Sequence, residues 1–214
     1  MRQVQVKGYV MFTGLVERIG TISVIEPITE GIRLGVICSP WDRKVDLGES
    51  ICVAGCCLTV VEAVASEDNL FLSFVVVPES LRHTTLGLVE INSDVNIERA
   101  LQADGFLGGH QVQGHVDATE SIVKLSDEGI EEKRVQISMK KVDRDTIVSK
   151  GSITIDGVSL TIASVVDDCF EVALIPTTLQ ETTLGKLSVG DQVNIETDII
   201  ARTVARVVRN MKSS

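Results

Sequence analysis

Aromatic residues are scarce: Phe, Trp and Tyr make up 3% of the 214 residues, although 44% of the chain is hydrophobic. The apolar content is instead carried by 31 Val and 20 Ile. These side chains are stiff at χ1 and suit pleated surfaces, so the composition leans toward β structure. Positive charge is also short, with 20 basic against 30 acidic side chains and a formal charge of −10. A nucleic-acid backbone binder needs clustered Lys and Arg to displace counterions, so that class of partner is excluded. No apolar run approaches the roughly 20 residues that a membrane-spanning helix requires. The first ten residues, MRQVQVKGYV, lack a continuous apolar segment and are not rich in Arg and Ser. Neither a secretory signal nor a transit peptide is expected, and the cytoplasm is the default compartment. The five Cys (38, 52, 56, 57 and 169) form no CxxC pair, which argues against a disulfide framework or a zinc site. Phosphate-binding and zinc-protease signatures (GxGxxG, GxxxxGK[ST], HExxH) are missing as well.

What the chain does contain is a second copy of itself. SICVAGCCLTV at 50–60 returns as SITIDGVSLTI at 152–162, and PESLRHTTLG at 78–87 returns as PTTLQETTLG at 176–185. VNIE at 95–98 returns at 193–196, and Gly14-Leu15-Val16-Glu17 is echoed by Gly114-His115-Val116-Asp117. Between 78–98 and 176–196, 10 of 21 positions are identical. A period near 100 residues means a duplicated domain, because solenoid repeats are much shorter. The organisation read from this is a tail at 1–10, a first copy at 11–107, a second at 108–197 and a final segment at 198–214, with ERALQADGFLGGHQ at the join.

Each copy breaks into short β-rich runs (GTISVIE, IRLGVIC, ESICVAG, CLTVVEAV and LFLSFVVV in the first) separated by turn residues. Single helical turns are expected near 40–47 and 79–87, and a short helix at 139–150. Closely spaced strands without intervening long helices predict two small closed barrels in tandem, an all-β chain. The end differs: Ile200, Val204, Val207 and Met211 recur at steps of four, three and four, an apolar stripe on a helix. That stripe suits packing on its own barrel or a seam with the same helix of other subunits.

Strand alternation sorts the repeated residues. Cys56, Leu58 and Val60 share one face with the core, as do Val158, Leu160 and Ile162 in the second copy. The opposite face keeps a small hydrogen-bonding pair in both copies, Cys57/Thr59 and Ser159/Thr161, and is read as ligand-facing. Cys56 therefore reads as a core residue, and Cys38, Cys52 and Cys169 as structural. His110 and His115 lie in the Gly-rich GGHQVQGH, where backbone can approach a ligand closely. Asp156 and the two TTLG segments read as turn chemistry, and Lys150 as the end of the short helix.

MFTGLVE (11–17), GCCLTV (55–60), GGHQVQGHVD (108–117), DGVSLT (156–161), LIPTTLQETTLG (174–185) and the two VNIE segments together resemble the riboflavin synthase family. The resemblance runs from Met11 to the C-terminal helix. It implies two six-stranded Greek-key barrels, a homotrimer held by the C-terminal helices, and an association with lumazine synthase. The reaction implied is the dismutation of two 6,7-dimethyl-8-ribityllumazine molecules by transfer of a four-carbon unit. Its products are riboflavin and 5-amino-6-(D-ribitylamino)uracil, and no cofactor or metal takes part. The site would lie between barrels of adjacent subunits. A non-catalytic lumazine- or flavin-binding optical protein of the same double-barrel family is the alternative.

Carried onto this sequence, Phe12, Gly14, Leu15, Val16, Ser50, Cys57, Leu58, Thr59 and the run Val75, Val76, Val77, Pro78, Glu79, Ser80 would serve the first pocket. Gly114, His115, Val116, Lys150, Asp156, Ser159, Leu160, Thr161 and the run Leu174, Ile175, Pro176, Thr177, Thr178 would serve the second. Among these, His115 or Thr161 is expected to manage the proton of the lumazine 7-methyl group, and Cys57 or Ser159 to assist addition to the partner ring. Ala54, Val75 and Ala173 stand where the family commonly has polar residues, and residues 1–10 precede its usual start at MFTG.

Overall fold

The computed structural model describes residues 10–127 and 132–212, so most of the N-terminal tail lies outside the described residues. The first copy forms β1 (Arg18–Ile28), β2 (Gly31–Cys38), β3 (Ser50–Val53), β4 (Cys56–Ala65), β5 (Leu70–Val76) and β6 (Asp94–Arg99), with α1 (Pro78–His83) before the last strand. The second forms β7 (Ala118–Asp127), β8 (Lys133–Ser138), β9 (Ser152–Ile155), β10 (Val158–Val166), β11 (Cys169–Leu174) and β12 (Gln192–Thr197), with α2 (Pro176–Glu181) in the same place. A final helix, α3, spans Ile199–Lys212. The ladders are antiparallel and close in the orders β1-β2-β5-β4-β3-β6 and β10-β11-β8-β7-β12-β9. The chain is thus all-β, two barrels with the same topology.

Local chemistry repeats with the fold. Two-residue hairpins join β3 to β4 and β9 to β10, with positive φ at Ala54 (47°) and Gly55 (83°), and at Asp156 (46°) and Gly157 (80°). Such turns match the right-handed twist of the flanking strands. Bulges interrupt β1, β4, β7 and β10, bending each ribbon until it closes. Each barrel has its own apolar core, centred on Leu34, Phe74 and Ile97 in one and on Ile137, Phe170 and Ile195 in the other. Burying such a side chain contributes roughly 1.5–3 kcal/mol.

The helical expectations need correcting. Segment 40–47 has no helical turn, and 139–150 contains only a 3₁₀ turn at Arg144–Thr146, where Asp143 caps the amide of Asp145 at 3.2 Å. Segment 79–87 holds α1 and a 3₁₀ turn, as expected. In α3 the stripe of Ile200, Val204, Val207 and Met211 is 52–74% exposed, so it does not pack on its own barrel. The helix is held instead by Arg202 on Asp117 (2.7 Å) and by Arg209 on Asp143 (2.6 Å) and Asp145 (2.5 Å). Among the described residues no helix is long and apolar enough to cross a membrane.

The barrels meet about an approximate two-fold axis. Phe12 and Val112 exchange backbone bonds of 2.7 and 3.1 Å, forming a bridge buried with Cys52. Asn96 donates to the carbonyl of Asp156 (3.0 Å) and accepts from the amide of Thr183 (2.8 Å). Asn194 returns the arrangement, donating to the carbonyl of Ala54 (2.6 Å) and accepting from the amide of Thr85 (2.7 Å). The VNIE asparagines and TTLG threonines therefore tie each barrel to the other.

Candidate active site

On the second barrel, the outward face of β10 opens into a cavity of about 600 Å³. Ser159 and Thr161 line it with Ser152 and Ala163, and Ile175 and Thr178 contribute from the start of α2. Lys150 and Arg134 are its two cations. Lys150 sits at φ 67°, in a turn whose counterpart in the first barrel is Gly48 at φ 84°. Both turns donate an amide to the same point of the ladder, Gly48 to Val60 and Lys150 to Ile162, each at 2.8 Å. A lysine held in the left-handed region is strained, and such outliers persist where the surroundings over-determine them.

The remaining wall comes from elsewhere in the chain. Leu15, Gly108 and Gly109 line the same cavity. The carbonyl of Gly14 accepts the Ser159 amide at 2.8 Å. A Cβ at Gly14 would fall 2.5 Å from the Ser159 Cβ, so only glycine permits this approach. His110, anchored through its amide to the Thr13 carbonyl (3.1 Å), places Nδ1 2.8 Å from the Ser159 hydroxyl. Burial lowers the pKa of His110 below the ordinary histidine value, while Asp198 opposes that shift. With the ring neutral and protonated at Nε2, Nδ1 accepts from Ser159 and raises the nucleophilicity of its oxygen.

The first barrel receives the reciprocal contact. The Cys57 amide donates to the carbonyl of Gly114 at 2.8 Å, and a Cβ on Gly114 would fall 2.7 Å from the Cys57 Cβ. Val16 packs on the second core and Val116 on the first. The loops following Phe12 and Val112 are thus exchanged: each belongs to one barrel by sequence and walls the other in space. This corrects the expected grouping, because Gly14, Leu15 and Val16 join Ser159 rather than Cys57, and Gly114 and Val116 join Cys57.

Two buried carboxylates set these loops. Glu98, at the end of β6, accepts from the Thr13 amide (2.6 Å), the Thr13 hydroxyl (2.7 Å) and the Gly14 amide (2.9 Å). Glu196 on β12 accepts from the amides of Gln113 (2.8 Å) and His115 (3.0 Å). Burial pushes both up to about 7 against the pull of those donors. Asp156 is likewise raised to about 7 by burial, opposed by the Asn194 amide at 2.8 Å.

A lumazine binding domain model matches residues 13–100 and again 113–198. The riboflavin synthase of Bacillus subtilis is 40% identical over 200 residues, covering 92% of this chain and 89% of that protein. That of Mycobacterium tuberculosis is 42% identical over 204 residues, covering 94% and 99%. This chain belongs to the riboflavin synthase family. Among solved structures, LumP complexed with 6,7-dimethyl-8-(1'-D-ribityl) lumazine is similar, with a TM-score of 0.72 and 27% identity over 87% of this chain and 99% of that one. The LumP complex with riboflavin reaches a TM-score of 0.74 over the same shares.

Within this family framework, the expected residues divide in three. Lys150, Ser159, Leu160, Thr161, Ile175, Thr178 and Leu15 line one cavity together. Cys57, Thr59, Val75, Val77 and Ser80 occupy the equivalent positions of the first barrel, where Thr59, Val75 and Val77 are exposed and Cys57 and Ser80 half-buried. His115 is exposed at the position matching Leu15. Pro78 and Pro176 open the two short helices, Thr177 is exposed, and Glu79 pairs with Arg82 and His83 on the surface.

The others serve the fold. Leu58, Val76 and Leu174 point into the cores because strand alternation turns them inward. Ser50 is buried, its carbonyl accepting the Ala100 amide at 3.3 Å. Phe12 is buried at the junction, and Asp156 holds the β9–β10 turn in a separate cleft between the barrels. Sequence reasoning noted His110 beside His115 without giving it a role, and passed over Arg134. The only signal for His110 was its Gly-rich setting; Arg134 pairs across the ladder with Ala173, a position already singled out.

Proposed function

We propose that the protein is a riboflavin synthase, dismutating two molecules of 6,7-dimethyl-8-ribityllumazine into riboflavin and 5-amino-6-(D-ribitylamino)uracil. The observation that carries this reading is the pair of homologous strand faces, Cys57/Thr59 and Ser159/Thr161, each completed by a loop of the opposite barrel. Two related surfaces suit a reaction between two copies of one substrate. The donors and acceptors of a pteridine edge and a ribityl chain match backbone groups and small hydroxyls.

The two faces are chemically unequal, as donor and acceptor roles require. Ser159 with neutral His110 supplies an activated hydroxyl for addition to the ring, or positions a water there. Thr161 on the same face, or His115, next in sequence to the Gly114 that takes the Cys57 amide, handles the proton of a 7-methyl group. Much of the acceleration comes from holding two rings in register. A neighbouring subunit brings its Cys57 face against a Ser159 face in this reading, and the uncovered stripe of α3 supports a homotrimer.

The test is direct. Purified protein incubated with the lumazine forms riboflavin, followed by absorbance, and Ser159→Ala and His110→Ala each slow turnover by about 10²-fold or more. Tight binding of lumazine without product would instead favour the LumP-like reading. Near-normal turnover in both variants would remove Ser159 and His110 from the chemistry.

A further inference from the structure

The repeated VNIE segments end on Glu98 and Glu196, which make no contact with the cavity. We infer that these two glutamates are positioning residues acting across the barrel junction: Glu98 of the first barrel sets the wall of the second barrel's pocket, and Glu196 of the second sets the wall of the first. The inference rests on the synthase reading and extends it.

The geometry supplies both halves. Glu98 takes three hydrogen bonds from Thr13 and Gly14 through its two oxygens. The next group along that loop, the Gly14 carbonyl, receives the Ser159 amide, and Leu15 then enters the cavity. Glu196 takes the Gln113 and His115 amides, and the residue between them, Gly114, receives the Cys57 amide. A buried carboxylate accepting two or three N–H or O–H donors fixes backbone position far better than a neutral group. In each case the carboxylate and the strand it serves lie on different barrels. Own-barrel strand pairing cannot replace this link, because the loop leaves its barrel immediately after the clamp.

Glu98→Gln and Glu196→Gln keep the shape but turn one acceptor oxygen into an NH₂ group facing a backbone N–H. Hydrogen exchange on the full-length protein reads the consequence at the Ser159 and Cys57 amides, alongside turnover of the lumazine. The expected pattern is crossed. Glu98→Gln speeds exchange at Ser159 by about tenfold or more and leaves Cys57 within about twofold, which corresponds to loss of roughly one buried hydrogen bond. Glu196→Gln does the reverse, and each variant lowers kcat by at least about tenfold with a smaller change in KM. A merely destabilised fold would move both amides together, so equal acceleration overturns the inference, as does acceleration confined to the substituted barrel. A crossed exchange pattern with wild-type kcat overturns the positioning role and leaves the synthase reading standing. A wild-type protein that makes no riboflavin fails the synthase reading and the catalytic half of the inference with it, while the exchange pattern still decides the geometry.

Discussion

The two barrels have the same strand order, turns and bulges, yet each is closed at one corner by different means. In the first, Arg99 plugs the corner: its side chain is 7% exposed, binds Glu49 at 2.7 and 2.8 Å, reaches the carbonyls of Arg43 and Lys44, and lies 5.4 Å from the Trp41 ring. Glu17 completes it by accepting the Arg99 amide (2.9 Å) and the Trp41 indole (2.6 Å). In the second, Thr197 stands in place of Arg99 and binds Asp117 at 2.8 Å, while the cation arrives from outside as Arg202 of α3. A duplicated fold has kept its strand chemistry and exchanged an internal plug for a helix that presents an apolar face outward.

The largest effect tests what the copies share. Gly14→Ala and Gly114→Ala each force a Cβ into the facing strand at a left-handed φ of 77° or 73°. Both are expected to destabilise by about 3 kcal/mol or more, measured by urea denaturation. Tolerance at one position alone would break the reciprocity of the junction.

Next come the corners, where the copies should differ. Arg99→Met leaves the Glu49 charge without its buried partner and should cost about 3 kcal/mol. Arg202→Met acts on a side chain that is 26% exposed and should cost about 1 kcal/mol. Its main outcome should appear in sedimentation, as a smaller species once α3 is released. A larger stability loss for Arg202 than for Arg99 would reverse this account of the two corners.

The pH dependence sharpens the comparison further. Glu98, Glu196 and Asp156 bind their protons more tightly folded than unfolded, each held at about 7 by burial. Between roughly pH 4.5 and 7 the native state therefore carries more protons. Stability from these groups is complete below that window and is lost as pH rises through it. Tm should fall between pH 5.5 and 7.5, and Asp156→Asn should flatten the slope. The first barrel has Ala54 at that position, so no substitution there removes a matching share. An unchanged slope in Asp156→Asn would refute this assignment.

The smallest effects lie at two strained turns. Ala54→Asn is expected to raise stability by about 0.5–1 kcal/mol, since Asn tolerates the left-handed region better. Lys150→Gly should gain a similar amount by thermal melting while weakening lumazine binding, because it removes a cation from the cavity. Unchanged affinity would free Lys150 of any part in the site.

Much of this architecture was legible in the order of residues. The repeat gave two domains, alternation gave the inward and outward faces of β4 and β10, and the stripe gave α3. Cys57, Thr59, Ser159 and Thr161 could be paired because the same parity appears twice. The exchange of loops could not be read, because the motifs of the two copies are interchangeable and a repeat does not say which copy packs on which strand. His110 reaches Ser159 only through the path of a Gly-rich connection, and hydrophobic periodicity carries no information about such a path. Segment 139–150 reads as a short helix, but only Arg144–Thr146 turns, as 3₁₀, opened by Asp143, whose carboxylate also takes Arg209. Phe12 sat in a motif shared with a ligand-binding family, and its size gave no hint that it seals the junction.

The exchanged loops have a thermal consequence. The Cys57 and Ser159 faces are each finished by a segment rooted in the other barrel, so parting the barrels by even one loop's width uncovers both faces while both cores stay dry. Warming should therefore silence the protein before it melts, and the gap between inactivation and unfolding would measure the strength of the seam.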